Sequence, residues 1–341
     1  MGEIHRLHAA LDLLRPRTFF RALARVNRLV EETKLLRAQI DQLSTRIEQL
    51  AIIETSYWEH ETVKSRVNAT LDAESVGAHV RAAVDMAPVE MEPFPHIVVT
   101  DWLPKPVYDT VIHAVPPPIF FAGREERRQQ MKVPFTLAPV LSQHAWRFLS
   151  NHVVSASLCD ALNEKFAAII RGYVRTFCPD LPPAVDLTLH ASDGRIMLRR
   201  PGYVIEPHRD PKWGFLTGLV YLAGSGDNEA YGTQLYRVRD DVDAPSDKPY
   251  YIDSARCELV KSIPFRPNTL FVFLNSKGAH GASIPADAVP PDLIRLVFQF
   301  RLGLSEAAMR QILRHMPPEQ QTVWAGAKSR RVVASASNSR Y

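Results

Sequence analysis

Apolar positions near the N-terminus recur with a period of seven. Val26, Thr33, Ile40 and Ile47 hold one place in the repeat, and Leu29, Leu36, Leu43 and Leu50 hold the place three residues later. These are the a and d positions of an amphipathic helix, and Phe19 and Ala22 extend the register toward Pro16, with Thr18 as the N-cap. β-Branched residues at a with leucine at d favour a parallel two-stranded coiled coil, in which Glu32 at g can pair with Arg37 at the following e. The expectation is a homo-oligomer, a parallel dimer first, built through residues 19–53. The bland alternative is one long helix packed on its own chain, and trimeric or antiparallel pairing stays open.

The pattern then changes twice. Residues 56–90 read as a polar helical connector. From Met91 prolines become frequent, and PFPHIVVTDWLPKPVYDTVIHAVP predicts a strand, a turn and a helix begun near Pro106. Leu158, Leu162, Phe166, Ile169 and Ile170 predict a helix over 155–177. Beyond Pro183 short strands are expected at 185–190, 195–200, 203–208, 215–222, 233–238, 258–263, 269–274 and 294–302. Such a series separated by Gly, Pro, Asp and Asn predicts an α+β chain with a β-sandwich or jelly-roll core. A last amphipathic helix is expected near 305–315, before a mobile Ser-, Ala- and Arg-rich tail. The domains implied are 1–55 (helix or coiled coil), 56–90 (connector), 91–305 (jelly roll with flanking helices) and 306–341 (helix and tail).

Composition refines this modestly. Of 341 residues, 46% are hydrophobic and 23% charged, a balance that supports a sizeable core. A net charge of +4 without a long like-charge block gives no call for a nucleic-acid partner. The odd, scattered Cys159, Cys178 and Cys257 argue against disulfides and thiolate metal sites. No leader-like apolar segment and no membrane-length apolar run is evident, so a cytoplasmic protein is expected.

The chemistry gathers around one triplet. In a strand, residues two apart share a face, so His208 and Asp210 can grip one ion together. His280 follows the apolar run at 269–274 and can return beside them as a third ligand. Two histidines and one carboxylate leave metal positions open, as non-haem Fe(II) requires, although zinc with a water also suits three ligands. Arg295 bears on the choice. It opens the apolar strand Leu296-Val-Phe-Gln-Phe300, where an inward guanidinium needs an anionic partner. A dicarboxylate that chelates the metal at one end and pairs with arginine at the other would serve; a protein carboxylate is the bland alternative.

HRD at 208–210, HG at 280–281 and Arg295 resemble the HxD…H…R signature of Fe(II)/2-oxoglutarate oxygenases, in particular prolyl-hydroxylase-like members. RPGYVIEPHRDP at 200–211, FLTGLVYLAG at 215–224, YGTQLY at 231–236 and PNTLFVFLNSKGAHG at 267–281 resemble the family's successive strands in order. The likeness covers roughly 185–302. It implies a double-stranded β-helix, Fe(II) on His208, Asp210 and His280 as the catalytic centre, 2-oxoglutarate and O2 as cosubstrates, and ascorbate as reductant in vitro. It also implies that Tyr221, the tyrosine of the YL pair, bonds the cosubstrate's distal carboxylate; a core aromatic is the alternative. The chain departs from the commonest pattern in the inserted SIPADAVPPD loop before Arg295, and in Val297, where some members carry Ser or Thr.

The resemblance implies hydroxylation of a C–H bond with succinate and CO2 as coproducts, and Asp210 argues against halogenation. A small metabolite or glycan sugar is the first substrate class, and a protein side chain the second. A catalytically silent coiled-coil scaffold and a cupin-type isomerase are rivals, both disfavoured by Arg295. Lesser candidates for substrate contact are Arg199, Arg200, Lys212 and Trp213. Asn275 is a candidate for orienting the distal-histidine loop. His144, His152 and His190 read as ordinary histidines, and Asp240, Asp241, Asp243 and Asp247 as an acidic loop, solvated or covering substrate.

Overall fold

The computed structural model describes residues 16–133, 137–192, 194–224, 226–241, 250–288 and 290–318, with Gln321 and Trp324; for 16–18, 58–66 and 124 only the backbone is described. Asp243, Asp247 and most of the C-terminal tail lie outside these residues. The chain divides into two compact units, Met1–Thr55 and Ser56–Tyr341.

Helix α1 (Pro16–Thr70) runs without interruption through the predicted heptads. No glycine or proline breaks it after Pro16, so nothing in its sequence stops the ladder of i to i−4 bonds. Its heptad residues remain at the surface of the chain: Leu36, Ile40, Leu43 and Ile47 are 57–67% exposed.

The second unit is built on two antiparallel sheets. Its strands are β1 (His96–Thr100), β2 (Ala122–Glu125), β3 (Arg128–Lys132), β4 (Leu189–Ala191), β5 (Arg195–Arg199), β6 (Val204–Arg209), β7 (Leu216–Tyr221), β8 (Thr233–Val238), β9 (Tyr250–Tyr251), β10 (Cys257–Ile263), β11 (Thr269–Leu274), β12 (Ala279–Ser283) and β13 (Arg295–Leu304). The larger sheet has the order β1-β11-β7-β13-β5-β3-β2, with β4 also on β13, and the smaller has β10-β8-β12-β6-β9. From β5 to β8 the chain alternates between sheets, β9 and β10 stay in the smaller one, and alternation resumes through β11, β12 and β13, so β6, β8 and β12 face β5, β7, β11 and β13. That ordering is the double-sheet jelly roll expected from the strand series.

Alternation along each strand explains why the large sheet is buried on both faces. In β11, Leu270, Val272 and Leu274 join the helix-side core, while Phe271 and Phe273 point between the sheets. In β13, Phe298, Phe300 and Leu302 face the helices, leaving Arg295, Val297, Gln299 and Arg301 to the inter-sheet side. Gly218 on β7 lies under the Phe300 ring, where a Cβ would sit 2.2 Å from Cζ.

The helical layer comprises α2 (Ala73–Met86), α3 (Lys105–His113), α4 (Val140–Phe148), a π-helical stretch Leu149–Leu158, and α5 (Cys159–Phe177). Asp72 caps α2 by accepting from the Ser75 amide at 2.8 Å. Residues 56–90 are helical for much of their length, and α2 buries Val76, Val80 and Val84 in the core. The helix expected over 155–177 begins earlier, because α4, the π-helical stretch and α5 follow one another without a break. α6 (Glu306–His315) starts at Ser305, whose Oγ accepts from the Ala308 amide at 3.1 Å. Among the described residues no helix is long and apolar enough to cross a membrane.

Candidate metal centre

His208 and His280 are brought together by strand register. β6 and β12 run antiparallel with His208 directly opposite His280, and the two ring centroids lie 4.2 Å apart. Asp210 follows β6 two residues after His208 and so projects to the same side. One ligand atom from each of the three residues falls within 4.8 Å of the others, and all three residues are buried. Among the described residues this is the one such cluster.

The surroundings set the charge and orientation of these groups. His208 Nδ1 lies 2.9 Å from the Glu206 carbonyl, which leaves Nε2 for the centre. Burial lowers the affinity of both imidazoles for a proton, and His280 titrates near about 3, helped by the neighbouring His208. Both are therefore neutral at pH 7. Burial opposes ionisation of Asp210, yet Arg301 and the two histidines hold its carboxyl well below the usual range. The carboxylate accepts from Arg301 Nη2 at 2.6 Å and from Thr217 Oγ1 at 2.7 Å. Arg301 comes from β13 and Thr217 from β7, so the large sheet fixes a ligand carried by the small one.

Arg295 is buried at the start of β13. Its Nε donates to the Tyr231 carbonyl and its Nη2 to the Gly232 carbonyl at 3.4 Å. The guanidinium carbon lies 5.0 Å from the Phe265 ring centre and 5.8 Å from that of Tyr221. Its charged neighbours include Arg199 but no carboxylate among the described residues. The bland partner, a protein carboxylate, is thus not what the described residues supply.

Tyr221 is fully buried, and burial pushes its hydroxyl up to about 12. That hydroxyl donates to Thr233 Oγ1 at 2.7 Å. Thr233 lines the cavity in front of the centre, and Tyr221 stands behind it. The cavity, of about 110 Å³, is bounded by His208, Asp210, His280, Arg295, Val297 and a group of further arginines.

Of the lesser candidates, Arg199 lines this cavity, whereas Arg200, Lys212 and Trp213 are not among its walls. Lys212 is buried, donating to the Tyr173 hydroxyl at 2.7 Å with Trp324 on its other side. Asn275, in the loop that leads to His280, ties that loop to the end of β6. Its Oδ1 accepts from the Asp210 amide at 3.2 Å, and its Nδ2 donates to the Gly214 carbonyl. Asp241 is paired with Arg209, and its Oδ2 accepts from the Gly278 amide at 2.7 Å, which anchors the approach to His280. His144 lies 2.8 Å from Asn68 Oδ1, and His152 packs on Phe148. Sequence reading passed over Arg301, Thr217, Thr233, Arg128, Arg195 and Gln299. The signal for Arg301 and Gln299 was present, because both share the strand parity of Arg295.

No protein-family profile matches the chain, and no curated protein matches it. Solved structures similar to it include a prolyl-4-hydroxylase from Pseudomonas putida, at 14% identity over 66% of this chain and 98% of that one, with a TM-score of 0.36. An oxidoreductase of the 2-oxoglutarate–Fe(II) oxygenase family from Burkholderia pseudomallei matches at 9% identity over 67% and 89%, with a TM-score of 0.36. HygX from Streptomyces hygroscopicus, determined with nickel and 2-oxoglutarate bound, matches at 12% over 61% and 82%, with a TM-score of 0.38. These are distant likenesses, and what those proteins bind is a property of those proteins.

Proposed function

We propose that this chain is an Fe(II)- and 2-oxoglutarate-dependent oxygenase that hydroxylates a C–H bond, with iron on His208, Asp210 and His280. The observation that carries the reading is the pairing of that triad with Arg295, a buried guanidinium without a carboxylate partner among the described residues. The donor set fits: two neutral imidazoles and one ionised carboxylate suit a divalent ion and leave its other positions open. When bound, iron with 2-oxoglutarate and O2 supplies oxidising power for the C–H bond, with succinate and CO2 released.

The protein's own contribution is placement. Arg295 holds the far carboxylate of the cosubstrate in a forked pair. Thr233 adds a hydroxyl that already accepts from Tyr221, so its own proton stays available for donation to a group in the cavity. Tyr221 then acts as a positioning residue behind Thr233. Thr217 and Arg301 keep Asp210 ionised and oriented, and the Glu206 carbonyl fixes the ring of His208. Val297, with no hydroxyl to offer, makes this wall of the pocket apolar.

α1 supports a second, structural role: its exposed heptad seam pairs copies of the chain as a parallel coiled coil. Ferrous iron added without oxygen should bind one per chain, and 2-oxoglutarate should then produce a visible charge-transfer band. His208→Ala should abolish iron binding and the band. A wild-type chain that binds neither ligand refutes the assignment.

A further inference from the structure

Three strands of the large sheet place arginines side by side toward the cavity. Arg128 on β3 lies opposite Arg199 on β5, which lies opposite Arg295 on β13; on its other side the exposed Arg128 faces Glu125 of β2, with which it forms no ion pair. Two residues along, Gln130, Met197 and Val297 form the next row, and beyond it Arg195 lies opposite Gln299. All of these residues line the cavity that holds the triad. Like charges directly opposite on neighbouring strands repel, so such a row is unfavourable unless an anion joins it.

Among the described residues Arg195 and Arg199 meet neutral acceptors. Arg195 donates to Gln299 Oε1 at 2.6 Å and 3.0 Å and to Gln130 Oε1 at 3.3 Å. Arg199 donates from Nη1 to the carbonyls of Gln129 and Leu198 and stacks on Tyr203, while its buried Nε has no partner. Among the described residues no carboxylate forms an ion pair with Arg128, Arg195 or Arg199. Burial and the neighbouring Arg301 lower the pKa of the Arg195 guanidinium to about 10, an effect that Asp210 offsets only in part.

Proposed occupants of the centre do not remove this excess. Asp210 answers Arg301, and the cosubstrate's far carboxylate would answer Arg295. Arg128, Arg195 and Arg199 remain. Arg128 and Gln130 are exposed on the outer side and Arg199 is buried, so the group leads from solvent toward the triad. We propose that Arg128, Arg195 and Arg199 bind a phosphoryl group of a small-molecule substrate, holding its oxidisable carbon toward the triad. A phosphoryl dianion suits three unmatched guanidiniums better than a single carboxylate, because it brings about two charges and three acceptor oxygens. The substrate class rests on the oxygenase reading, whereas the anion site itself does not.

The test is calorimetric titration of the full-length chain with inorganic phosphate, with acetate as the monoanion control and 2-oxoglutarate in a separate arm. Phosphate should bind at least about tenfold more tightly than acetate. Arg128→Gln and Arg195→Gln should each weaken it about tenfold, the loss of one charged hydrogen-bonding partner, while Arg175→Gln, at an exposed position of α5 that does not line the cavity, leaves it within about twofold. Saturating 2-oxoglutarate should not displace it. Absence of phosphate binding, indifference to both Arg128→Gln and Arg195→Gln, or an equal loss in Arg175→Gln would overturn the proposal. Phosphate binding of the expected pattern in a chain that ignores 2-oxoglutarate supports the anion site and removes the oxygenase reading; the reverse pattern does the opposite.

Discussion

Asp210 is held by protein groups independently of any metal. Arg301 on one oxygen and Thr217 on the other satisfy a carboxylate that is otherwise surrounded by buried atoms. Removing it should therefore leave a buried, unpaired guanidinium. Asp210→Ala is expected to lower the stability of the metal-free protein by about 3–5 kcal/mol in urea unfolding; an unchanged midpoint would contradict the pairing. Arg295 stands in the converse situation, donating to carbonyls with no carboxylate beside it among the described residues. Arg295→Gln should weaken 2-oxoglutarate binding by about 10–100-fold while iron affinity stays within about twofold, read by calorimetry. His280 supplies a pH dependence. Its proton affinity is lower in the folded than in the unfolded chain, so folding stability is complete above the unfolded value near 6.5 and falls as pH drops toward about 3. Metal-free protein should thus be less stable at pH 5 than at pH 7 by roughly 1–2 kcal/mol, and equal unfolding midpoints would refute the neutral, buried histidine.

At the scale of elements, register does most of the work. The cross-strand pair His208–His280 exists because β12 returns antiparallel beside β6. The long apolar strands were legible for the same reason that they are buried on both faces: Leu270 through Leu274 and Leu296 through Phe300 are nearly continuous apolar runs. β12 was not legible, because Ala279-His-Gly-Ala-Ser283 lacks both β-branched residues and alternation. β2 and β3 were hidden by Arg, Glu and Gln, which sit there because β3 contributes to a cationic wall rather than to a core. His208, Asp210, His280 and Arg295 could be read from residue types and order, whereas Arg301 and Thr217 act through contacts between sheets that a linear pattern does not reveal. Two predictions belong here. Gly218→Ala should cost about 1–3 kcal/mol, since the added methyl meets Phe300; wild-type stability would mean the two strands can part freely. Leu36→Lys with Leu43→Lys in the full-length chain should lower its mass in light scattering to that of one copy, and an unchanged oligomer would dismiss the coiled-coil role of α1.

For the molecule as a whole, the two sheets divide the chemistry. The small sheet and the residue that follows β6 carry the three candidate metal ligands, and the large sheet carries the charges that orient Asp210 and face the cavity. Helices α2 to α5 back the large sheet, so the arginine-bearing strands rest on a close-packed support rather than on loops. The central claim is tested most directly by turnover of the cosubstrate alone. Purified full-length protein given Fe(II), ascorbate, O2 and 2-oxoglutarate should form succinate slowly and catalytically, and neither His208→Ala nor Asp210→Ala should do so. Succinate formation equal in wild type and both variants, or absent from a wild type shown to bind iron and 2-oxoglutarate, would contradict the account.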